Sequence, residues 1–151
     1  MEAVCGALLR ILNDRPELKI IFPVHLNPRV REVVFPLLQD RPRVILCDPV
    51  GYLDFVGLMA GSKIILSDSG GIQEEAPTLG KPVLVLRETT ERPEAVEAGT
   101  ALLTGTDPKR VYDTVMALLK DTERYDRMSR AANPYGSGEA SKNIADIILT
   151  G

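Results

Sequence analysis

The sequence is poor in cysteine, histidine and aromatic residues, and these shortages exclude several kinds of protein. Two cysteines and one histidine are too few for a disulfide framework or a zinc site. No apolar run reaches the ~18 residues that a membrane-spanning helix needs. The formal net charge of -3 argues against a broad surface for nucleic acid or anionic membranes, although it leaves room for one local cationic pocket. We therefore expect no metal, no nucleic-acid partner and no membrane partner.

Length and composition indicate one soluble globular domain that covers residues 1 to 151. A chain of 151 residues is the usual size of a single domain, and 26% charged with 44% hydrophobic residues is typical of a folded soluble protein. The first residues contain no basic segment leading into an apolar stretch, so they do not predict a secretory signal. Because Cys5 and Cys47 cannot form a disulfide framework, the simplest location is the cytoplasm.

Apolar patterns alternate between strand-like and helix-like spacing along the chain. Buried strands are predicted at residues 18 to 24, 43 to 47, 63 to 67 and 82 to 86, with a weaker fifth at 101 to 103. Helices are predicted at residues 2 to 13, 28 to 38, 52 to 61, 70 to 79 and 93 to 98, and almost throughout from 107, ending in a helix at 140 to 149. This alternation predicts an α/β fold with a Rossmann-like parallel sheet flanked by helices. Ligands of such folds bind at the carboxyl ends of the strands, so the residues after each strand are the candidates for a site.

The segment after the third predicted strand has the composition of an anion-binding turn. It reads Asp-Ser-Gly-Gly-Ile-Gln-Glu-Glu-Ala-Pro over residues 68 to 77. Gly70 and Gly71 let a ligand approach the backbone, where the first free N–H groups of a helix attract phosphate. Ser69 adds a hydroxyl, and Glu75 is placed to accept hydrogen bonds from the two hydroxyls of a ribose. The alternative is that Ser69 only caps the helix and the glycines only tighten the turn.

Three further groups of side chains follow predicted strands. His25, the only histidine, comes directly after the first strand, where its imidazole suits a diphosphate, although a lone histidine is more often a polar surface residue. Arg87 and Arg92 lie in a polar loop after the fourth strand and suit either a phosphate or a neighbouring carboxylate. Tyr52 and Phe55, at the start of the third helix, suit a nucleobase, but burial in the core explains them equally well.

Other enzyme and nucleotide-binding fingerprints fail on inspection. Asp-Ser-Gly-Gly also surrounds the nucleophile of trypsin-like serine proteases, but that fold is all-β and this chain alternates strand and helix. Gly80-Lys81 does not belong to a phosphate-binding P-loop, because Glu75 stands where that motif has its first glycine. No Gly-x-Gly-x-x-Gly follows a predicted strand.

Taken together, these segments resemble the C-terminal half of the bacterial non-hydrolysing UDP-N-acetylglucosamine 2-epimerases. The matching stretches run in order along nearly the whole chain, at residues 23 to 32, 52 to 55, 68 to 77, 80 to 87, 89 to 100 and 133 to 136. Members of that family have two Rossmann-like domains with the active site in the cleft between them, as in the GT-B glycosyltransferases. The resemblance therefore implies that this chain is the C-terminal domain of a GT-B-type two-domain enzyme whose N-terminal domain is absent.

The resemblance also implies a reaction and its ligands. In the family, UDP is eliminated from UDP-N-acetylglucosamine to give a 2-acetamidoglucal, and UDP is then re-added with inversion at C2. The implied ligands are UDP and UDP-N-acetylhexosamines, without a cofactor, and the full-length enzyme is expected to be a homodimer. The carboxylates that transfer the proton belong to the N-terminal domain, so the isolated domain is expected to bind UDP weakly and to be inactive. The resemblance implies that His25 is an active-site histidine near the diphosphate and that Ser69, Gly70 and Gly71 bind phosphate. It also implies that Glu75 binds the ribose, that Arg92 lines the same pocket and that Phe55 lies beside the uracil.

Two other functions remain open from the sequence. The first is a donor-binding domain of a GT-B glycosyltransferase or of a hydrolysing epimerase, which share the fold and the ribose-binding glutamate. The second is a non-catalytic, flavodoxin-like interaction module. The Pro-Val-His-Leu-Asn-Pro segment around His25 favours the non-hydrolysing epimerases.

Overall fold

A computed structural model of the chain describes residues 1 to 136 and 138 to 150. Within these residues, helices and strands alternate as the sequence predicts, and most strands are shorter than predicted. In chain order the elements are α1 (Glu2–Asp14), β1 (Ile20–Pro23), α2 (Pro28–Leu38), β2 (Val44–Cys47), α3 (Tyr52–Gly61), β3 (Ile65–Ser67), α4 (Gly70–Glu75), a 3₁₀ helix (Ala76–Leu79), β4 (Val83–Val85), α5 (Pro93–Glu97), β5 (Ala101–Leu103), α6 (Pro108–Lys120), α7 (Thr122–Ser129) and α8 (Ala140–Thr150).

The described strands are all parallel to their hydrogen-bonded neighbours, but they form two sheets rather than the single sheet predicted. β1 pairs with β2, with Ile20 opposite Val44, and β4 lies between β3 and β5. The two sheets share a hydrophobic cluster, because Leu66 of β3 packs against the same buried residues as Phe22 of β1. Alternating strands and helices predict parallel strands, but they do not specify which neighbours share a ladder.

Strand β4 is the buried centre of the three-stranded sheet. Val83, Leu84 and Val85 are each fully buried, as expected for a parallel strand covered on both faces. Leu84 packs with α6 and α7 through Leu118 and Met128, whereas its neighbours on β4 pack on the opposite side with a separate cluster. The core therefore positions β4 and, through the parallel pairing of β3 with β4, also β3 and the loops that follow both strands.

Local sequence signals set the limits of several helices. The carboxylate of Asp107 accepts a hydrogen bond from the Arg110 N–H at 2.7 Å, and Pro108 is the first residue of α6, as predicted. The predicted helix over 70 to 79 divides into α4 and the 3₁₀ helix. Pro77 has no N–H to continue an α-helical ladder, which accounts for the change of helix type.

After residue 107 the described residues are helical except at Asp121, between α6 and α7, and in the segment between α7 and α8. There, the Asn133 side chain donates a hydrogen bond to Thr78 Oγ1 at 2.7 Å, which attaches the turn to the end of the 3₁₀ helix. None of the helices in the described residues is both long and apolar enough to span a membrane. Apolar side chains on α8 are exposed, namely Ile144, Ile147, Ile148 and Leu149.

Candidate functional site

His25 lies in the loop directly after β1, and its side chain is exposed. Its Nδ1 accepts a hydrogen bond from the backbone N–H of Asn27 at 3.1 Å. In the neutral imidazole this leaves the hydrogen on Nε2, which is the nitrogen free to donate outwards. The Asn27 side chain in turn accepts from the Arg29 N–H at 3.0 Å and caps α2. The loop is thus ordered by α2, although no hydrogen bond among the described residues links His25 to the glycine turn.

The Ser69–Gly71 turn consists of Ser69, which follows β3, and the first two residues of α4, Gly70 and Gly71. Ser69 is the N-cap residue of α4, but within the described residues its side chain makes no capping hydrogen bond. Ser67 Oγ instead accepts from the Ser69 N–H at 3.1 Å. Ser69 is an exposed residue at the start of α4, where its hydroxyl is available to a ligand. The interpretation that Ser69 merely caps the helix does not describe this turn.

The two glycines of this turn meet different surroundings. A Cβ at Gly70 would collide with the carboxylate of Glu91, which lies against this position. A Cβ at Gly71 would have Ser69 Oγ as its nearest neighbour, at the ordinary contact distance of 3.9 Å. Gly71 is therefore not required by the fold itself, and the open space beside it lies next to the exposed Ser69 hydroxyl.

The loop after β4 places Arg87 and Arg92 in ion pairs at this edge. Arg87 Nη1 pairs with Glu91 at 2.7 Å, and Arg92 Nε donates to the carboxylate of Glu74. The hydrogen bond with Glu74, and then its charge, raises the pKa of Arg92 above its ordinary value, so the guanidinium stays protonated. The Arg92 side chain is still 35% exposed, which leaves part of the guanidinium accessible to an anion.

A buried amide connects the glycine turn to the Arg92 loop. Gln73 on α4 is fully buried; its Nε2 donates to the Ser69 carbonyl at 3.3 Å, and its Oε1 accepts from the Thr90 hydroxyl at 2.6 Å. Thr90 Oγ1 accepts in turn from the Arg92 N–H at 3.0 Å. The sequence alone marks neither Gln73 nor Thr90 as a functional residue. The signal for burial of Gln73 is weak, namely the apolar Ala76 and Pro77 one turn further along the same helix face, and a buried amide needs hydrogen-bonding partners.

Phe55, Tyr52 and Glu75 lie near the ends of α3 and α4. Phe55 is partly buried against the cluster that contains Met59 and Val83, so core burial accounts for much of its surface. Tyr52 is 66% exposed in the first turn of α3. Glu75 is half-buried at the end of α4, and its neighbour Glu74, which the sequence did not single out, is the carboxylate that pairs with Arg92. In the described part of the chain, no three histidine, cysteine or carboxylate side chains are grouped as a metal site would need.

Comparison with known proteins decides the family. A family model described as UDP-N-acetylglucosamine 2-epimerase matches residues 1 to 149. The chain belongs to this family. An Escherichia coli K12 relative named UDP-N-acetylglucosamine 2-epimerase is 55% identical over 147 residues, which are 97% of this chain and 39% of the relative. The chain thus spans about two fifths of the length of the curated relatives it matches.

Several solved structures share this fold. The Neisseria meningitidis UDP-GlcNAc 2-epimerase, bound to UDP-GlcNAc, is 47% identical with a TM-score of 0.93, over 99% of this chain and 40% of that one. Staphylococcus aureus MnaA, in a co-structure with UDP, is 46% identical with a TM-score of 0.93, over 97% of this chain and 40% of that one. A glycosyltransferase of kitacinnamycin, 15% identical with a TM-score of 0.68 over 96% of this chain and 38% of that one, shares the fold alone. These likenesses confirm the predicted fold class, an α/β domain matching the C-terminal domain of GT-B-type enzymes.

Proposed function

We propose that this chain is the UDP-binding domain of a UDP-N-acetylglucosamine 2-epimerase, which interconverts UDP-GlcNAc and UDP-ManNAc. The observation that carries the proposal is the linked placement of the Ser69–Gly71 turn and Arg92 at the carboxyl ends of adjacent strands β3 and β4. Backbone N–H groups, a hydroxyl and a guanidinium are the donors that a diphosphate needs. The Neisseria relative, which is bound to UDP-GlcNAc, supports a nucleotide sugar as the ligand.

Each candidate residue has a role in this proposal. The Ser69–Gly71 turn and Arg92 hold the diphosphate, and Glu75 accepts hydrogen bonds from the ribose hydroxyls. Phe55 lies beside the uracil, where its partly buried ring offers an apolar surface. His25 donates its Nε2 hydrogen to a diphosphate oxygen, since its Nδ1 is already occupied by the Asn27 N–H.

The chemistry assigned to these residues is stabilisation of a leaving group. In the proposed reaction, a proton leaves C2 of the sugar and the bond from C1 to the diphosphate oxygen breaks, which gives 2-acetamidoglucal and UDP. UDP then re-adds at C1 while C2 is protonated from the opposite face. Charge grows on the diphosphate as the bond breaks, and the cation of Arg92 stabilises this charge because its pKa keeps it protonated.

Proton transfer at C2 is assigned to the part of such an enzyme that this chain does not span. The 151-residue chain should therefore bind UDP weakly and leave UDP-GlcNAc unchanged. A longer protein that contains this chain should form UDP-ManNAc without accumulating free UDP and sugar together. Their accumulation would favour a hydrolysing enzyme instead. The homodimer and the cytoplasmic location stay predictions for that longer protein, and light scattering tests the first.

Calorimetric titration with UDP tests the binding function directly. The wild-type chain should release heat on binding, and Arg92→Ala should weaken binding roughly tenfold to a hundredfold, as expected when a charged hydrogen-bonding partner is lost. Arg127→Ala is the matched control, because Arg127 is an exposed arginine on α7 whose ion pair is with Glu123 of the same helix. Absence of heat from the wild-type chain, or equal weakening by both variants, would overturn the proposal.

A further inference from the structure

The fully buried side chain of Gln73 differs from the other buried polar groups of the domain. Thr100 and Thr104 are also buried, and their hydroxyls donate to nearby backbone carbonyls. Gln73 instead bonds to two separate segments, the turn at Ser69 and the loop at Thr90. Burying an amide without partners is costly, so these hydrogen bonds fix the position of both segments.

Hydrogen bonds run in one direction through this connection. The Arg92 N–H donates to Thr90 Oγ1, the Thr90 hydroxyl donates to Gln73 Oε1, and Gln73 Nε2 donates to the Ser69 carbonyl. The single hydrogen of the Thr90 hydroxyl is used on Gln73, so its oxygen is left to accept from Arg92. A residue without this hydroxyl would leave the Gln73 oxygen and the Arg92 N–H without these partners.

We infer that Gln73 and Thr90 are positioning residues that keep the Ser69–Gly71 turn and Arg92 at the spacing of one diphosphate. The inference rests on the proposed function and deepens it. Neither side chain touches the ligand; both act on the phosphate end of the site through the groups they hold. They therefore determine recognition of the diphosphate and leave recognition of the nucleoside unchanged.

Substitution of Thr90 separates this role from a purely structural one. Thr90→Val keeps the shape of the side chain and removes the hydroxyl, whereas Thr90→Ser keeps the hydroxyl. Thr90→Val loses both hydrogen bonds of the hydroxyl and should weaken UDP binding about tenfold, and Thr90→Ser should restore most of the affinity. Binding of uridine, followed by NMR titration, should be the same in all three proteins because uridine lacks the diphosphate.

Thr100→Val is the matched control for lost stability. It removes a buried hydroxyl that donates to the Ala95 carbonyl at 3.0 Å, before β5. This variant should melt at a lower temperature yet keep the wild-type affinity for UDP. If the valine at position 90 prevents folding, Thr90→Ala and Thr90→Ser provide the same comparison, since only serine retains the donor.

The outcomes distinguish this inference from the proposed function. If the wild-type chain fails to bind UDP, the proposed function fails. If the wild-type chain binds UDP and Thr90→Val binds it equally well, or serine and alanine at position 90 give the same affinity, the positioning role is wrong. Equal weakening of UDP and uridine by Thr90→Val would also overturn it, because the effect would then not be confined to the phosphate end.

Discussion

The carboxylate of Glu91 fills the space beside Gly70 that a side chain at that position would need. Arg87 holds this carboxylate through an ion pair of 2.7 Å. A negative charge thus lies against the turn where we propose that the diphosphate of UDP binds. Two anions repel one another at such short range, so UDP binding requires Glu91 to move from Gly70 or to share the nearby arginines.

Glu91→Gln should therefore bind UDP more tightly than the wild-type chain. The change removes the repelling charge, keeps nearly the same shape and leaves Arg87 without its charged partner. We expect about a threefold to fivefold lower dissociation constant at low salt, with a smaller gain as salt screens the charges. Calorimetric titration at two salt concentrations measures both effects.

A second exposed glutamate controls for the change in net charge. Glu97→Gln lies at the end of α5 and makes the same charge change. If both glutamine variants gain equally, the effect is one of net charge and not of the contact with Gly70. Weaker binding by Glu91→Gln would mean that Glu91 contributes to the site instead of competing with the diphosphate.

Gly71→Ala should separate the needs of the ligand from the needs of the fold. The new methyl group would meet only Ser69 Oγ at 3.9 Å, and alanine favours a helix over glycine, so we expect about 0.4–1 kcal/mol of added stability. The same methyl group would occupy the space through which a phosphate reaches the backbone N–H groups. UDP binding should weaken at least tenfold, a loss of about 1.4 kcal/mol.

Gly6→Ala provides the comparison for this prediction. It lies within α1, where, among the described residues and apart from its chain neighbours and the backbone of its own helix, a Cβ would meet no atom within 4 Å. Both variants should therefore unfold at higher urea concentration, and only Gly71→Ala should lose affinity for UDP. If Gly71→Ala binds UDP like the wild-type chain, the phosphate does not approach the backbone at this glycine.

Much of this fold could be predicted from short sequence patterns, each of which lies within a single helix or strand. Val83, Leu84 and Val85 form a wholly apolar run because β4 is covered on both faces, so the burial of this strand is predictable from the sequence. Asp107 and Pro108 mark the start of α6 because the capping bond lies within one turn. The division of the strands into two sheets was not predictable, since it depends on contacts between distant segments.

In the candidate site, too, features within one short segment could be predicted from the sequence, whereas contacts between distant segments could not. Ser69, Gly70 and Gly71 are recognisable because a serine and two glycines directly after a predicted strand form a local pattern that is typical of anion-binding turns. The partner of Arg92 was not predictable, because Glu74 and Glu75 are adjacent and the helix phase decides which carboxylate reaches the loop. The bond between Gln73 and Thr90 spans 17 residues and depends on how α4 meets the loop after β4.

Arg43 stabilises the end of α1, and this predicts a large effect of its removal. Its guanidinium donates to the carbonyls of Leu12, Arg15 and Leu18, although its own φ of 68° lies in the left-handed region that favours glycine. Arg43→Gly relieves the backbone and loses the three hydrogen bonds. We expect a net loss of about 1–3 kcal/mol in the free energy of unfolding, measured by urea denaturation.

The neighbouring Asp40 tests the backbone part of this prediction. Asp40 also has a left-handed φ, of 58°, and its side chain is exposed. Asp40→Gly should therefore leave stability unchanged or raise it slightly. If Arg43→Gly is as stable as Asp40→Gly, the guanidinium does not hold the end of α1.

The hydrogen bond between Tyr112 and Asp14 joins α6 to α1 and predicts a pH-dependent contribution to stability. The Tyr112 hydroxyl donates to Asp14 Oδ2 at 2.7 Å, and this bond is the main cause that lowers the pKa of Asp14 below its ordinary value. When folding lowers the pKa of a carboxyl, its ionised form stabilises the fold, and this stabilisation is complete at pH values above the pKa of about 4 in the unfolded chain. It is lost as the pH falls through the lower pKa of the folded state. Tyr112→Phe should therefore be less stable than the wild-type chain near neutral pH, and the difference in urea midpoints should shrink in acid.

Tyr125→Phe is the control, because it loses a hydrogen bond of 3.0 Å to the Lys63 carbonyl, which does not titrate. A Tyr112→Phe difference as independent of pH as that of Tyr125→Phe would show that Asp14 is not coupled to Tyr112.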